Sequence, residues 1–96
     1  MAVEMLYFAW VRERIGTGAE RVDPPAEVTT VAELVAWLAT RSAGHAAAFA
    51  DRDRVRAAID DQFVGPDAAI AGAREIALFP PVTGGSGVSA ASVIRR

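Results

Sequence analysis

Residues 3–8 are aliphatic or aromatic apart from Glu4, the pattern of a strand covered on one face and neighboured on both sides, and they predict a first, central strand. From Trp10 the character changes to mixed charge, with Val11 and Ile15 four apart, which predicts a helical turn or two ended by Gly16. Residues 20–23 predict a short edge strand, stopped by Pro24 and Pro25, which cannot donate to a ladder. The clearest helix starts at Thr30. Its hydroxyl and Glu33 form a capping box, Val31, Leu34, Val35 and Leu38 repeat at helical spacing, and Trp37 lies on the flank. Ser42, Ala43 and Gly44 read as the end of that helix, residues 45–50 as a second short helix around Phe49, and the charged run 51–54 as a solvated loop. Two short strands, 55–59 and 62–64, are predicted about a tight turn at Asp60-Asp61, followed by turns at 65–67 and 72–74 and a closing strand at 75–79. Residues 68–70 are too short a run to assign.

Strand, short helix, edge strand, long helix, short strands and closing strand is an α+β order, with one main helix packed on one face of a mixed sheet. Parallel pairing of the first and last strands at the centre makes the arrangement a β-grasp, ubiquitin-like domain. The organised part is expected to be a single domain over residues 1–85. Residues 86–96 are mostly small, lack a helical stripe and end in Arg95-Arg96, so they read as a tail outside the fold.

A net charge of -2, from ten basic and twelve acidic residues, gives no footprint for nucleic acid or an anionic membrane. The absence of cysteine excludes disulfides, thiolate metal sites and thiol nucleophiles. Glu4 and Arg12 interrupt the apolar N-terminal run, so neither a signal peptide nor a membrane span is expected, and the expected location is the cytoplasm. His45, the only histidine, sits among alanines with no acid partner evident in the sequence and is expected at the surface or a helix end. Trp10, Trp37 and Phe49 read as core or flank packing, and no metal constellation is present.

The stretch that carries chemistry follows the closing strand: Phe79-Pro80-Pro81-Val82-Thr83-Gly84-Gly85. Two prolines fix φ and lack N–H groups, so the strand must end and the chain must leave extended. Gly84-Gly85 has no side chains, and bare backbone can thread a narrow channel and present its carbonyl to another protein's catalytic groups. Phe79, Pro80, Pro81, Val82 and Thr83 are then expected to form an apolar docking surface leading into this finger.

These residues resemble the sulfur-carrier branch of the ubiquitin-like families, the small subunits of molybdopterin synthases. The resemblance runs over about residues 3–85. It rests on Leu6-Tyr7-Phe8-Ala9 with Val11-Arg12-Glu13, on Thr30-Val31-Ala32-Glu33-Leu34, and above all on residues 77–85, from Ala77 through the Pro-Pro-Val to Gly84-Gly85. It implies that the carboxylate of Gly85, with Gly84 before it, is adenylated by an E1-like activating enzyme at the expense of ATP and converted to a thiocarboxylate. A large catalytic subunit would then take the sulfur to build the dithiolene of molybdopterin. The resemblance implies no bound cofactor and no metal.

One departure is serious: such carriers end at Gly-Gly, and this chain continues to Arg96, which leaves Gly85 in a peptide bond. Either a protease removes residues 86–96 or the tail is an addition of another origin. Two alternatives stay open: another ubiquitin-like sulfur carrier or protein modifier, serving thiamin, cysteine or tRNA thiolation, and a non-catalytic β-grasp binding module.

Overall fold

The computed structural model describes residues 2–81. Five strands form one mixed sheet: β1 (Val3–Tyr7), β2 (Ala19–Val22), β3 (Arg56–Ile59), β4 (Gln62–Val64) and β5 (Glu75–Phe79), in the order β2-β1-β5-β3-β4. The first and last strands pair in parallel near the centre, with Met5 opposite Ile76 and Tyr7 opposite Leu78, while every other pairing is antiparallel. This is the β-grasp arrangement that the order of apolar runs predicts.

One face of the sheet carries the helices. Val3, Met5 and Tyr7 of β1, Ala57 of β3, and Ile76 and Leu78 of β5 alternate inward and meet Val31, Leu34, Val35 and Leu38 of α2 (Val31–Leu38). Helix α2 starts as the sequence requires. The Thr30 hydroxyl accepts from the Glu33 N–H at 3.2 Å, and the Glu33 carboxylate accepts from the N–H groups of Thr30 and Thr29. Thr30 also makes an isolated bridge to Ala69, and Ile70 is buried, so the run left unassigned in the sequence pins the helix entry to the core.

Helix α1 (Ala9–Ile15) ends at Gly16, whose φ of 99° gives the left-handed turn that only glycine adopts freely. The next boundary differs from expectation. Ser42 does not close α2; it caps α3 (Ala43–Ala48), its hydroxyl accepting from the His45 N–H at 3.1 Å. Gly44 lies so close to the end of α1 that a Cβ there would sit 2.6 Å from the Arg14 carbonyl oxygen. The charged run read as a loop is exposed but turns once, as a 3₁₀ helix over Arg52–Arg54. Trp10 and Trp37 flank the core and Phe49 is buried in it, as expected.

The β3–β4 hairpin turns through Asp60 and Asp61, with φ of 49° and 74°, the positive values of a two-residue hairpin loop. Asp60 earns its place twice: its N–H donates to Glu75 O, and its carboxylate accepts from the N–H groups of Arg74 and Glu75. The hairpin tip is thereby tied to the start of β5. No helix among the described residues is long and apolar enough to cross a membrane.

Candidate functional site

The finger is rooted in the most enclosed part of the sheet. Strand β5 lies between β1 and β3, with Phe79 directly across from Arg56. Beside its end, the Phe8 N–H donates to Leu78 O at 3.2 Å, so the β1 side of the ladder reaches almost to the last residue of the strand. Pro80 and Pro81 follow, half-buried and outside any strand. Val82, Thr83, Gly84 and Gly85 lie outside the described residues.

Phe79 does not present the exposed surface expected of it. It is 2% exposed and packs on the sheet face opposite the helices, in a second cluster with Ala58 and Ala77, against which Leu6 and Phe8 rest. The physical reason is strand parity. Ile76 and Leu78 face the helices, so Ala77 and Phe79 face the other way, and two small alanines, Ala77 on the same strand and Ala58 on β3, leave room for the Phe79 ring to settle between its larger neighbours. Exposed apolar surface falls instead on Phe63 of β4, half of which is open to solvent and whose ring centroid lies 5.6 Å from that of Phe79. Among the described residues Phe63 is the one large hydrophobic side chain so exposed.

Leu6, Phe8, Ala58, Phe63, Ala77 and Phe79 together make an apolar outer face at the foot of the finger, brought there by four strands. The strand reading missed Leu6, Phe8 and Phe63 as site residues. A signal existed: residues 5–8 and 76–79 are apolar at both parities, and a strand with one solvated face alternates. A cavity of about 650 Å³ lies elsewhere; it opens on the helix side, between Val31 and Val35 of α2 and Ala57, Val64 and Leu78 of the sheet.

His45 also departs from expectation. It is 7% exposed and has an acid partner: its Nε2 lies 2.7 Å from Glu20 Oε2, and its Nδ1 lies 2.7 Å from the Ser42 hydroxyl. The Tyr7 hydroxyl donates to the same Glu20 oxygen at 2.7 Å. Burial pushes the Glu20 carboxyl up, but the hydrogen bonds from His45 and Tyr7 outweigh it and hold it below its ordinary value. Burial, reinforced by the neighbouring Glu20, pushes the Tyr7 hydroxyl well up. The Ser42-His45-Glu20-Tyr7 chain ties α3, the edge strand β2 and the centre of the core together, at the helix face of the sheet and away from the outer patch. The partner was invisible in sequence because Glu20 is 25 residues away, on a strand whose pairing sets the meeting. Among the described residues no cluster could hold a metal ion.

Comparison with known proteins bears on most of the chain. Over 83 residues it is 39% identical to the molybdopterin synthase sulfur carrier subunit of Escherichia coli (strain K12), covering 86% of this chain and 99% of that one. Its structure is similar to SAMP1 from Haloferax volcanii, with a TM-score of 0.64 and 28% identity, over 88% of this chain and 100% of that one. It is similar also to a putative molybdopterin converting factor, subunit 1, from Pyrococcus furiosus, with a TM-score of 0.65 and 26% identity, over 85% and 99%. The model of the ThiS family matches residues 5–85, from the first strand to the second glycine of the finger, and the chain belongs to that family.

Proposed function

We propose that the chain is the sulfur-carrier small subunit of a molybdopterin synthase, working with a large catalytic subunit. The observation that carries this reading is where the family match closes: on Gly85, the end of a finger rooted between two neighbours in the middle of the sheet. The reactive carbon is the carbonyl of Gly85. An E1-like enzyme binds the finger, a Gly85 carboxylate oxygen attacks the α-phosphorus of ATP, and pyrophosphate leaves. A sulfur donor then displaces AMP from the acyl-adenylate and leaves a thiocarboxylate. In the large subunit that sulfur passes to the pterin precursor to build the dithiolene. The carrier binds no cofactor or metal of its own, ATP being consumed by the activating enzyme, and it works in the cytoplasm.

The chemistry suits a chain with neither cysteine nor lysine. Without a thiol, sulfur can travel only on the C-terminus; without a lysine amine, an acyl-adenylate has no side-chain amine of its own to react with. Gly84 and Gly85 serve by lacking Cβ atoms, and Phe63, with the partly buried Leu6 and Phe8 about the buried Phe79, gives the large subunit an apolar surface to lie on while the finger enters its active site.

Residues 86–96 lie beyond the family match and keep Gly85 in an amide, which cannot attack ATP. The domain, 1–85, is therefore released by a protease that cuts after Gly85. The test gives activating enzyme and ATP to the full chain and to a chain ending at Gly85, and follows pyrophosphate release. Release from the shorter chain alone is expected; equal activation of an uncut full-length chain overturns the mechanism. A second reading is favoured by one similar structure, described as that of H. volcanii small archaeal modifier protein 1: Gly85 would be passed to an amine of another protein. Conjugates heavier by the mass of the carrier in its own cells would support that reading.

A further inference from the structure

At the foot of the finger the sheet encloses a small hollow of about 250 Å³, bounded by Arg56, Ala57, Phe63, Val64 and Phe79. Four of its walls are apolar and one is a cation. Arg56 stands directly across the ladder from Phe79, and on the far side of β3 Phe63 is paired with Ala58. The Arg56 guanidinium is held in place: Nη1 donates to the Asp53 carbonyl at 2.6 Å and is 3.3 Å from that of Val55. Both acceptors are main-chain carbonyls, which orient the group without neutralising it, and among the described residues Arg56 makes no ion pair.

We propose that this hollow receives one large apolar side chain of the large subunit, with a carboxylate beside it that pairs with Arg56, so that Arg56 selects the partner. The inference rests on the reading that the outer face docks on that subunit. A guanidinium presents five donors in a planar fork that matches a carboxylate, and one already oriented loses less freedom on pairing. Docking removes water from the rim of the hollow. A partner with a carboxylate there compensates the desolvated cation, whereas a partner without one leaves a charge covered and unpaired, which discriminates against it.

The experiment measures affinity and association rate of the chain, both full-length and ending at Gly85, for the large subunit of the same organism, at low and high salt. The variants are Arg56→Glu, Arg56→Met and Phe63→Ser, each first shown to melt within a few degrees of the unaltered chain. Arg56→Glu is expected to weaken binding about ten-fold or more and to slow association chiefly at low salt, as loss of a steering charge does. Arg56→Met keeps the aliphatic stem and is expected to cost less, with a flatter salt dependence. Phe63→Ser weakens binding at every salt concentration. If Phe63→Ser weakens binding and both Arg56 variants bind like the unaltered chain, the docking face stands and the role of Arg56 falls. If the unaltered chain binds in neither form, or Phe63→Ser binds normally, the docking face itself falls and Arg56 with it.

Discussion

Nε2 of His45 and Oε2 of Glu20 meet at 2.7 Å, and they join the edge strand β2 to helix α3 across the end of the Tyr7 side chain. Glu20 is held below its ordinary value despite the opposing effect of burial, so the sign of its contribution is fixed. Stability from the ionised carboxylate is present above the ordinary glutamate range and lost as pH falls through the depressed folded value. Glu20→Gln is expected to melt lower than the unaltered chain at pH 7, and the gap should close as pH falls below about 4.3. Tyr7→Phe removes one neutral donor from the same oxygen and should cost about 1 kcal/mol. Thermal melts across pH 3–7 check both; a gap independent of pH would show that the carboxylate charge plays no part.

Phe79 and Phe63 separate packing from docking. Phe79→Ala empties a site in the outer cluster, and loss of a buried phenylalanine costs about 3–5 kcal/mol, enough to disturb the fold before any binding assay is read. Phe63→Ser, at a half-exposed ring, is expected to shift stability by about 1 kcal/mol or less. Chemical denaturation of the two variants in parallel distinguishes them, and equal losses would mean that the outer face is an ordinary extension of the core.

Gly44 is required for closeness, not for conformational freedom. A methyl group there meets the carbonyls of Arg14 and Ile15 at 2.6 and 3.2 Å, and backbone cannot swing aside as a side chain can. Gly44→Ala should therefore destabilise the domain by about 1–3 kcal/mol although alanine is the better helix former. A variant as stable as the unaltered chain would mean that α3 can slide along α1 without loss.

The elements legible in the sequence were those whose pattern is local. The Thr30–Glu33 box and the stripe from Val31 to Leu38 specify α2 by contacts within a turn or two, and Asp60-Asp61 sits where a two-residue hairpin needs positive φ. Even the parallel β1–β5 pair could be inferred, because two runs nearly free of polar residues have to share the middle of one sheet. What stayed hidden depends on the meeting of distant positions. Ser42 can end one helix or begin another, and the α1–α3 packing that seats Gly44 decides for the second. Phe79 reads as a docking residue by its place before Pro80, yet the side on which it lands follows from its register with Arg56, and its burial from the small size of Ala58 and Ala77. The patch that includes Phe63 is a property of four strands together, and none of them announces it alone.

The position of β5 has a mechanical consequence. Its two ladders, one parallel to β1 and one antiparallel to β3, hold the strand on both flanks, the second as far as Phe79. A pull along the axis of β5 therefore loads the hydrogen bonds of both ladders sideways, in shear, so they must fail together and not one after another as in a peeled edge strand. A strand held in this way can bear a load while the domain behind it stays closed, which makes β5 a handle.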